Sequence, residues 1–379
     1  MTAPVRSSIL ALSLVPCLVP CLVAEPVGER RFVTNSRLGL GSENNISASL
    51  RIGDLDGDRD LDVVVANGRH WPQQNFIFFN QGRARFNLTR RLGHDTATSY
   101  ATELADLDND GDLDIAVGND MAPNTIFLND SHGHFQHHAT FGKPSSIRSL
   151  TLADIDRDGD VDILANSRGH QNLIYFNDGS ANFPDSRPFG NALDSTIDVA
   201  VADLNKDGHP DLVLANRDAQ QNVVLLNNGQ ARFAQRIPFG TGRDETRAVA
   251  VADLDGDGHL DWVTGNIRQP NAVYLGDGKG GVRESFNFGR ADGPAYALAI
   301  ADMDKDGHPD IIVGNAARAN AVFFNQGDGK HFREVLFGDA SGITYNLAVG
   351  DLNQDGYPDI AVANSNSQNL IYLNLSRKR

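Results

Sequence analysis

Cysteine is nearly missing from this chain. There are 2 in 379 residues, Cys17 and Cys21. Both sit in an apolar run from Ile9 to Val23, so beyond that run no disulfide can staple the fold. Helical spacing is missing too: past residue 24 no stretch keeps a 3.6-residue apolar period over three turns, which excludes a helix bundle. Basic residues are in deficit, with Lys+Arg 33 against Asp+Glu 49 and a formal charge of −16. That balance excludes the general nucleic-acid binders, which lean basic. No nucleophile elbow, HExxH pair or P-loop marks an enzyme class.

The apolar run itself is too short to span a bilayer comfortably. With Arg6 before it and Ala24 before Glu25 after it, residues 1–24 read as a secretory signal. The expectation is a secreted, cell-surface or periplasmic protein without a membrane span, monomeric, with one domain over residues 25–379.

What the chain has in abundance is repetition. An acidic nonapeptide starts at Asp54, Asp106, Asp154, Asp203, Asp253, Asp302 and Asp351, at intervals of 52, 48, 49, 50, 49 and 49 residues. A small alternating run such as Ala248–Ala252 precedes it, and an apolar run such as Asp211–Ala215 follows. A third run, Asn222–Asn227 in that repeat, leads to Phe233 and then Phe239-Gly240. Short β-branched runs bounded by Asn, Asp and Gly are strands, and four strands per roughly 50 residues make one propeller blade. Seven units predict an all-β, seven-bladed propeller. The last repeat lacks its fourth strand, while Phe32 and Leu38-Gly39 match Phe86 and Leu92-Gly93. Residues 31–39 are therefore expected to complete the last blade and close the ring, removing an open sheet edge. Asn recurs at 67, 119, 166, 216, 266, 315 and 364, and again at 75, 124, 172, 222, 271, 320 and 369; a residue used in every repeat reads as architecture.

Phe141-Gly142, Phe189-Gly190, Phe239-Gly240, Phe288-Gly289 and Phe337-Gly338, taken with the acidic loops, resemble FG-GAP/VCBS repeats over about residues 31–374. Such repeats build integrin α-chain propellers, fungal lectins and many secreted bacterial proteins. The "GAP" half is spelled only at Gly293-Pro294-Ala295, and no stalk or cysteine framework points to an integrin.

Each acidic loop reads Asp-x-(Asp/Asn)-x-Asp-Gly-x-x-Asp, and hard oxygens at alternate positions of a tight loop suit Ca²⁺. The expected ligands are Asp54, Asp56, Asp58, Asp60 and Asp62; Asp106, Asp108, Asp110, Asp112 and Asp114; Asp154, Asp156, Asp158, Asp160 and Asp162. The later loops offer Asp203, Asn205, Asp207, His209 and Asp211; Asp253, Asp255, Asp257, His259 and Asp261; Asp302, Asp304, Asp306, His308 and Asp310; Asp351, Asn353, Asp355, Tyr357 and Asp359. Position 7 supplies a backbone carbonyl, so its side chain varies. Loop 1 departs at position 6, where Arg59 replaces Gly. Up to seven Ca²⁺ would neutralise most of the acidity.

Ligands of propellers commonly bind around a channel mouth. Opposite the acidic loops, the loops after the second strands carry Arg168, Arg217, Arg268 and Arg318; Tyr100, Arg148, Arg247, Tyr296 and Tyr345 stand six residues before a first Asp. Guanidinium groups pair with anions and aromatic faces stack on sugars. The expectation is a recognition module for a glycan or an acidic protein. The alternatives are a polysaccharide lyase or sugar dehydratase on the same scaffold, for which Tyr100, Arg148 and His170 are the nearest candidates, and a purely structural surface protein.

Overall fold

The computed structural model describes residues 30–376; the expected signal segment, both cysteines and the C-terminal Arg377–Arg379 lie outside the described residues. Seven antiparallel sheets form the ring, and no helix occurs among the described residues. Blade 1 comprises Ser47–Gly53, Asp62–Asn67, Gln73–Phe79 and Leu88–Ala97, and the later blades repeat this order.

Each strand position has its own burial logic. The second strands, such as Asp62–Asn67 and Asp211–Asn216, are buried along their whole length, because both faces of the sheet meet a neighbouring blade. Continuous aliphatic runs are what such a position needs. The fourth strands bury little; Gln136–Phe141 buries only Phe141. The hydrophobic core is accordingly not central. It is divided into seven clusters, one at each blade junction, such as Leu50, Val63, Val65 and Phe78 of blade 1 against Ala361, Ala363 and Ile371 of blade 7, with a small eighth of Ala48, Tyr100 and Tyr345 at the axis. The first strands line the axis, with small residues such as Ala48, Ala101 and Ala248 beside larger polar and aromatic ones such as Arg51, Glu103 and Tyr100.

The ring closes as the half-repeats require. Arg30–Val33 and Gly39–Leu40 both pair with Asn369–Ser376, the third strand of blade 7. The register differs from the expected one. Leu40 lies opposite Asn369, as Leu92 lies opposite Asn75 and Phe141 opposite Asn124, so Leu40-Gly41 is the counterpart of Phe-Gly, and Leu38-Gly39 is not. Gly41 also has the left-handed φ of 71° shared by Gly93 at 69° and Gly142 at 72°. The displacement arises because the chain loops out between the two pairing segments, in a turn closed by the Leu38 N–H on the Asn35 carbonyl at 3.0 Å. Arg30 clamps the junction. Its guanidinium donates to Asn374 Oδ1 at 2.9 Å and the Asn374 carbonyl at 3.1 Å, and lies 3.6 Å over the Tyr357 ring.

Candidate metal and ligand sites

All seven acidic loops join the first and second strands, so they share one face of the disc. Their hydrogen bonds repeat. In loop 1 Asp54 accepts the N–H groups of Gly57 at 2.9 Å and Arg59 at 3.1 Å, and Asp58 accepts that of Asp60 at 2.8 Å. Positions 4 and 6 are left-handed in every loop: Asn109 and Gly111 have φ of 62° and 97°, and in loop 1 the glycine sits at position 4, leaving Arg59 at φ 72°. Arg59 thus holds the loop geometry against the usual steric penalty for a side chain there.

Position 9 is a clasp. Asp62 is buried, and its two oxygens accept the N–H groups of Leu55 at 3.0 Å and Asn80 at 2.8 Å. Burial pushes the carboxyl of Asp62 up to about 7 and that of Asp211 up to about 6, against the pull of these backbone bonds. The Asn80 amide then donates to the Leu352 carbonyl of blade 7 at 2.8 Å. The same stitch runs from Asn129 to Leu55, Asn177 to Leu107, Asn227 to Ile155, Asn325 to Leu254 and Asn374 to Met303. Blade 5 has Gly276 in this place and lacks the bond.

The loops can hold metal ions. Three carboxylate oxygens lie within 4.8 Å of one another in Asp54/Asp56/Asp58, Asp106/Asp108/Asp114, Asp154/Asp156/Asp162, Asp253/Asp255/Asp261 and Asp302/Asp304/Asp306. Asp108, Asp154 and Asp304 each carry a buried Oδ1 without any partner, a donor set that a hard cation satisfies. Burial first, and then like-charged neighbours, push Asp56, Asp108, Asp156 and Asp304 above the usual carboxylate range. Loops 4 and 7 substitute Asn205 and Asn353, and the Asn205 amide donates to Asp207 at 2.9 Å. In blade 5 the Arg283 guanidinium reaches both Asp255 and Asp257. Position-7 side chains bridge blades: Asp60 accepts from Gln354 at 2.6 Å and Asp160 from Asn109 at 2.8 Å, while His209, His259 and His308 lie against Gly229, Gly278 and Gly327.

The opposite face has a second stitch. Asn75 donates to Ser99 of the next blade at 2.9 Å, and Ser99 donates to Asn119 at 2.8 Å. Asn172–Thr196–Asn216, Asn222–Thr246–Asn266 and Asn369–Ser47–Asn67 repeat it. The Asn series is therefore architectural, with one correction: in blade 3 its place is taken by Ser167, whose N–H donates to Asn172 at 2.8 Å, and Asn166 instead points its amide at Ser149 and Thr151.

On this face Tyr100, Tyr296 and Tyr345 converge over the channel. The ring centroids of Tyr345 are 6.4 Å from Tyr100 and 5.5 Å from Tyr296. Arg69 and Arg247 each lie 4.5 Å from the Tyr345 centroid, and Arg148 lies 4.4 Å from that of Tyr100. Arg148 is paired with Asp120 at 2.9 Å. Burial raises the Tyr345 phenol, but Arg247 and Arg69 outweigh it and hold the phenol below its ordinary value. Tyr100, buried beside Tyr345, is pushed up to about 12. Behind the tyrosines is a cavity of about 440 Å³. Exposed Trp71, Met121 and Leu193 stand on the surrounding loops.

Arg168, Arg217 and Arg318 do not form an open cationic arc. Arg168 meets Asp218 at 2.6 Å, Arg217 lies 3.5 Å from Glu245, and Arg318 meets Asp292 at 2.7 Å. Arg268, at φ 59°, enters no ion pair among the described residues. His170 is exposed and bonds locally to the Arg168 carbonyl, and it makes no hydrogen bond to Tyr100 or Arg148 among the described residues.

Sequence reasoning missed Arg51, Glu103 and Asp198, which line the cavity. Arg51 pairs with Glu103 at 2.5 and 2.7 Å, and Asp198 accepts the N–H groups of Val199 and Val249, both at 3.1 Å. The signal was there to read. Position −3 from the first Asp is Ala in blades 4 to 7 but Arg51, Glu103 and Thr151 in blades 1 to 3.

Fold and loops together define a seven-bladed propeller with an acidic metal-type loop at the same corner of each blade. The chain belongs to the FG-GAP-like repeat family, whose model matches residues 54–117, 106–165, 154–214, 203–264, 253–313 and 302–362. No curated protein matches it. Among solved structures it is similar to BBS1N, crystallised in complex with ARL6DN, at 12% identity and TM-score 0.58 over 90% of this chain and 96% of that one. It is similar to an Agrocybe aegerita lectin that recognises non-reducing terminal N-acetylglucosamine, at 21% identity and TM-score 0.53 over 87% and 88%. The WD40 domain of Toxoplasma gondii coronin matches at 13% identity and TM-score 0.63 over 94% and 88%. At these identities the likeness is one of fold.

Proposed function

We propose that this protein is a secreted, Ca²⁺-stabilised recognition propeller that binds a glycan or an acidic protein at the channel mouth opposite the acidic loops. One observation carries the reading. The acidic loops and both stitches recur around the ring, whereas the position six residues before the first Asp varies from blade to blade, and its Tyr100, Arg148, Arg247, Tyr296 and Tyr345 are gathered at one place. Repetition serves the scaffold, and departure from it serves a ligand. The lectin and BBS1N structures support a binding role by analogy of fold alone. Calcium is the cation favoured by a loop of carboxylate and carbonyl oxygens. The signal-like segment 1–24 supports the secretory route. A glycan array probed with the parent and with Tyr345→Ala tests the site: array signal lost in the variant is the expected result, and signal retained places recognition elsewhere.

A further inference from the structure

We infer that the cavity behind the channel-mouth tyrosines binds one carboxylate, carried on a small hydroxyl-rich body of the sugar-acid class, with Arg247 as its main anchor and Arg69 beside it. This rests on the recognition role proposed above and narrows it to one chemistry.

Of the described arginines packed around the tyrosines, these two alone lack an ion pair; Arg268, also unpaired, is exposed on its loop. Arg51 has Glu103, Arg148 has Asp120, Arg168 has Asp218 and Arg318 has Asp292. Arg247 is only 7% exposed and lines the cavity, yet no carboxylate lies within ion-pair distance of it among the described residues. Arg69 is likewise without an acidic partner, and its Nε is buried with nothing to donate to. Asp198 opposes Arg247 only from beyond ion-pair distance, and a buried cation without a directly paired counter-ion is costly, a cost that an incoming anion relieves. The lowered phenol of Tyr345 reports the same positive potential from a third position.

The local charge fixes the valence. Arg51, Arg148 and Arg247 line the cavity with Glu103 and Asp198, while Arg69 over Tyr345 and Asp120 on Arg148 stand just outside the lining and cancel each other, which leaves one positive charge in excess. That matches a monoanion better than a dianion. On a protein of charge −16, such a spot focuses anions only at short range.

The walls fix the body. Ser149 and Thr151 already donate to the carbonyls of Ile197 and Val199. Asn346 accepts through Oδ1 from the Leu50 N–H and from Arg51, but its amide nitrogen makes no hydrogen bond among the described residues, so it is free to donate to a hydroxyl. The Tyr100 and Tyr296 rings offer faces for stacking. A volume of about 440 Å³ suits one substituted six-membered ring, free or at the end of a chain.

The test is calorimetric titration of the full chain in Ca²⁺ with D-glucuronate, D-glucose and inorganic phosphate. Glucuronate is expected to bind at least about tenfold tighter than glucose, the size of a charge-assisted hydrogen bond. Its affinity should fall by about tenfold or more in Arg247→Gln and by a smaller factor in Arg69→Gln, and stay unchanged in Arg318→Gln. Arg69 is half-buried in a loop, so that variant keeps the experiment interpretable if Arg247→Gln unfolds. A second readout is phenolate absorbance: bound anion should move the Tyr345 titration to higher pH, a signal absent in Tyr345→Phe. Equal binding of glucose and glucuronate, tighter binding of phosphate, or full affinity in both arginine variants would overturn the inference. Array signal from neutral glycans that is lost in Tyr345→Ala but kept in both arginine variants would also overturn it, leaving the recognition role standing. Glucuronate binding without any array signal would do the reverse.

Discussion

The two faces of the disc are built from the same repeat and behave in opposite ways. On one face every blade presents the same acidic loop, with the N–H groups of positions 6, 7 and 2 bonded to positions 1, 5 and 9. On the other, six residues before the first Asp, the seven blades present Ala48, Tyr100, Arg148, Ile197, Arg247, Tyr296 and Tyr345. The first face is uniform because each loop solves the same local problem, turning between two strands and fastening to the neighbouring blade. The second is free to vary because the Asn–Ser/Thr stitch beside it already carries the structural load. Stability and recognition are thereby assigned to separate surfaces of one repeat.

The largest effect expected to test this division is metal removal. With dissociation constants of about 10⁻⁴–10⁻³ M and about 1 mM Ca²⁺, seven independent sites would stabilise the fold by about 3–10 kcal/mol. Differential scanning calorimetry should show a clear fall in Tm in EDTA that Mg²⁺ does not restore; an unchanged melt, with the metal shown to be gone, would mean the acidic loops are turns and nothing more.

The pH dependence should reverse with loading. In the metal-free protein the native carboxyls of Asp62, Asp114, Asp162, Asp310 and Asp359 are pushed up to about 7, and those of Asp211 and Asp261 to about 6. The native state then binds more protons than the unfolded chain between pH 4 and 7, taking about 3.9 as the ordinary Asp value. The contribution of these groups is fully present below pH 4 and is lost as pH rises towards 7. Bound metal needs the ionised form, so the loaded protein should lose stability on acidification. Melting curves with and without Ca²⁺ from pH 4.5 to 7.5 should therefore converge at low pH; parallel curves would show that these carboxyls do not sense the metal.

Next in size is the blade-to-blade stitch. Asn227→Ala removes donors to the Ile155 and Pro210 carbonyls and should cost about 1–3 kcal/mol by urea unfolding. Gly276→Asn should not yield the converse gain, since a Cβ there would stand 2.1 Å from the Leu260 carbonyl oxygen. Arg59→Gly should stabilise loop 1 by about 1 kcal/mol, by relieving the left-handed φ of 72°. Smallest of all, Arg318→Ala should change stability by less than about 0.5 kcal/mol, because its pair with Asp292 is solvent-exposed. A loss above 2 kcal/mol there would show that the recognition face also bears structural load.

Much of the fold is legible in the amino-acid order itself. The period, the strand runs and the orphaned half-repeat specify the blade count and the closure. The register of closure is not legible, because the loop-out around Asn35–Leu38 shifts Leu40-Gly41 by two residues and nothing in the composition of residues 31–39 announces it. Asn166 misleads for a related reason: an Asn one residue early looks like the repeat, and only the hydrogen bond from Ser167 shows which residue holds the place. Of the candidate ligand residues, Tyr100, Arg148, Arg247, Tyr296 and Tyr345 come together because equivalent positions on first strands must face one axis. Arg168, Arg217 and Arg318 find acids in neighbouring loops, and loop conformation is not written in the repeat.

The clamp of Arg30 on Asn374 joins residues 344 apart in the chain. During synthesis at about 5–20 residues per second, the first of these emerges about 20–70 s before the second. For that interval Arg30–Leu40 is a strand without a sheet, and blade 1 has its outer neighbour missing. Ring closure thus waits until blade 7 has been made. A chain that stalls late, or a second chain whose free segment arrives first, meets an open edge at Asn369–Ser376, and the same pairing that completes one molecule would then link two.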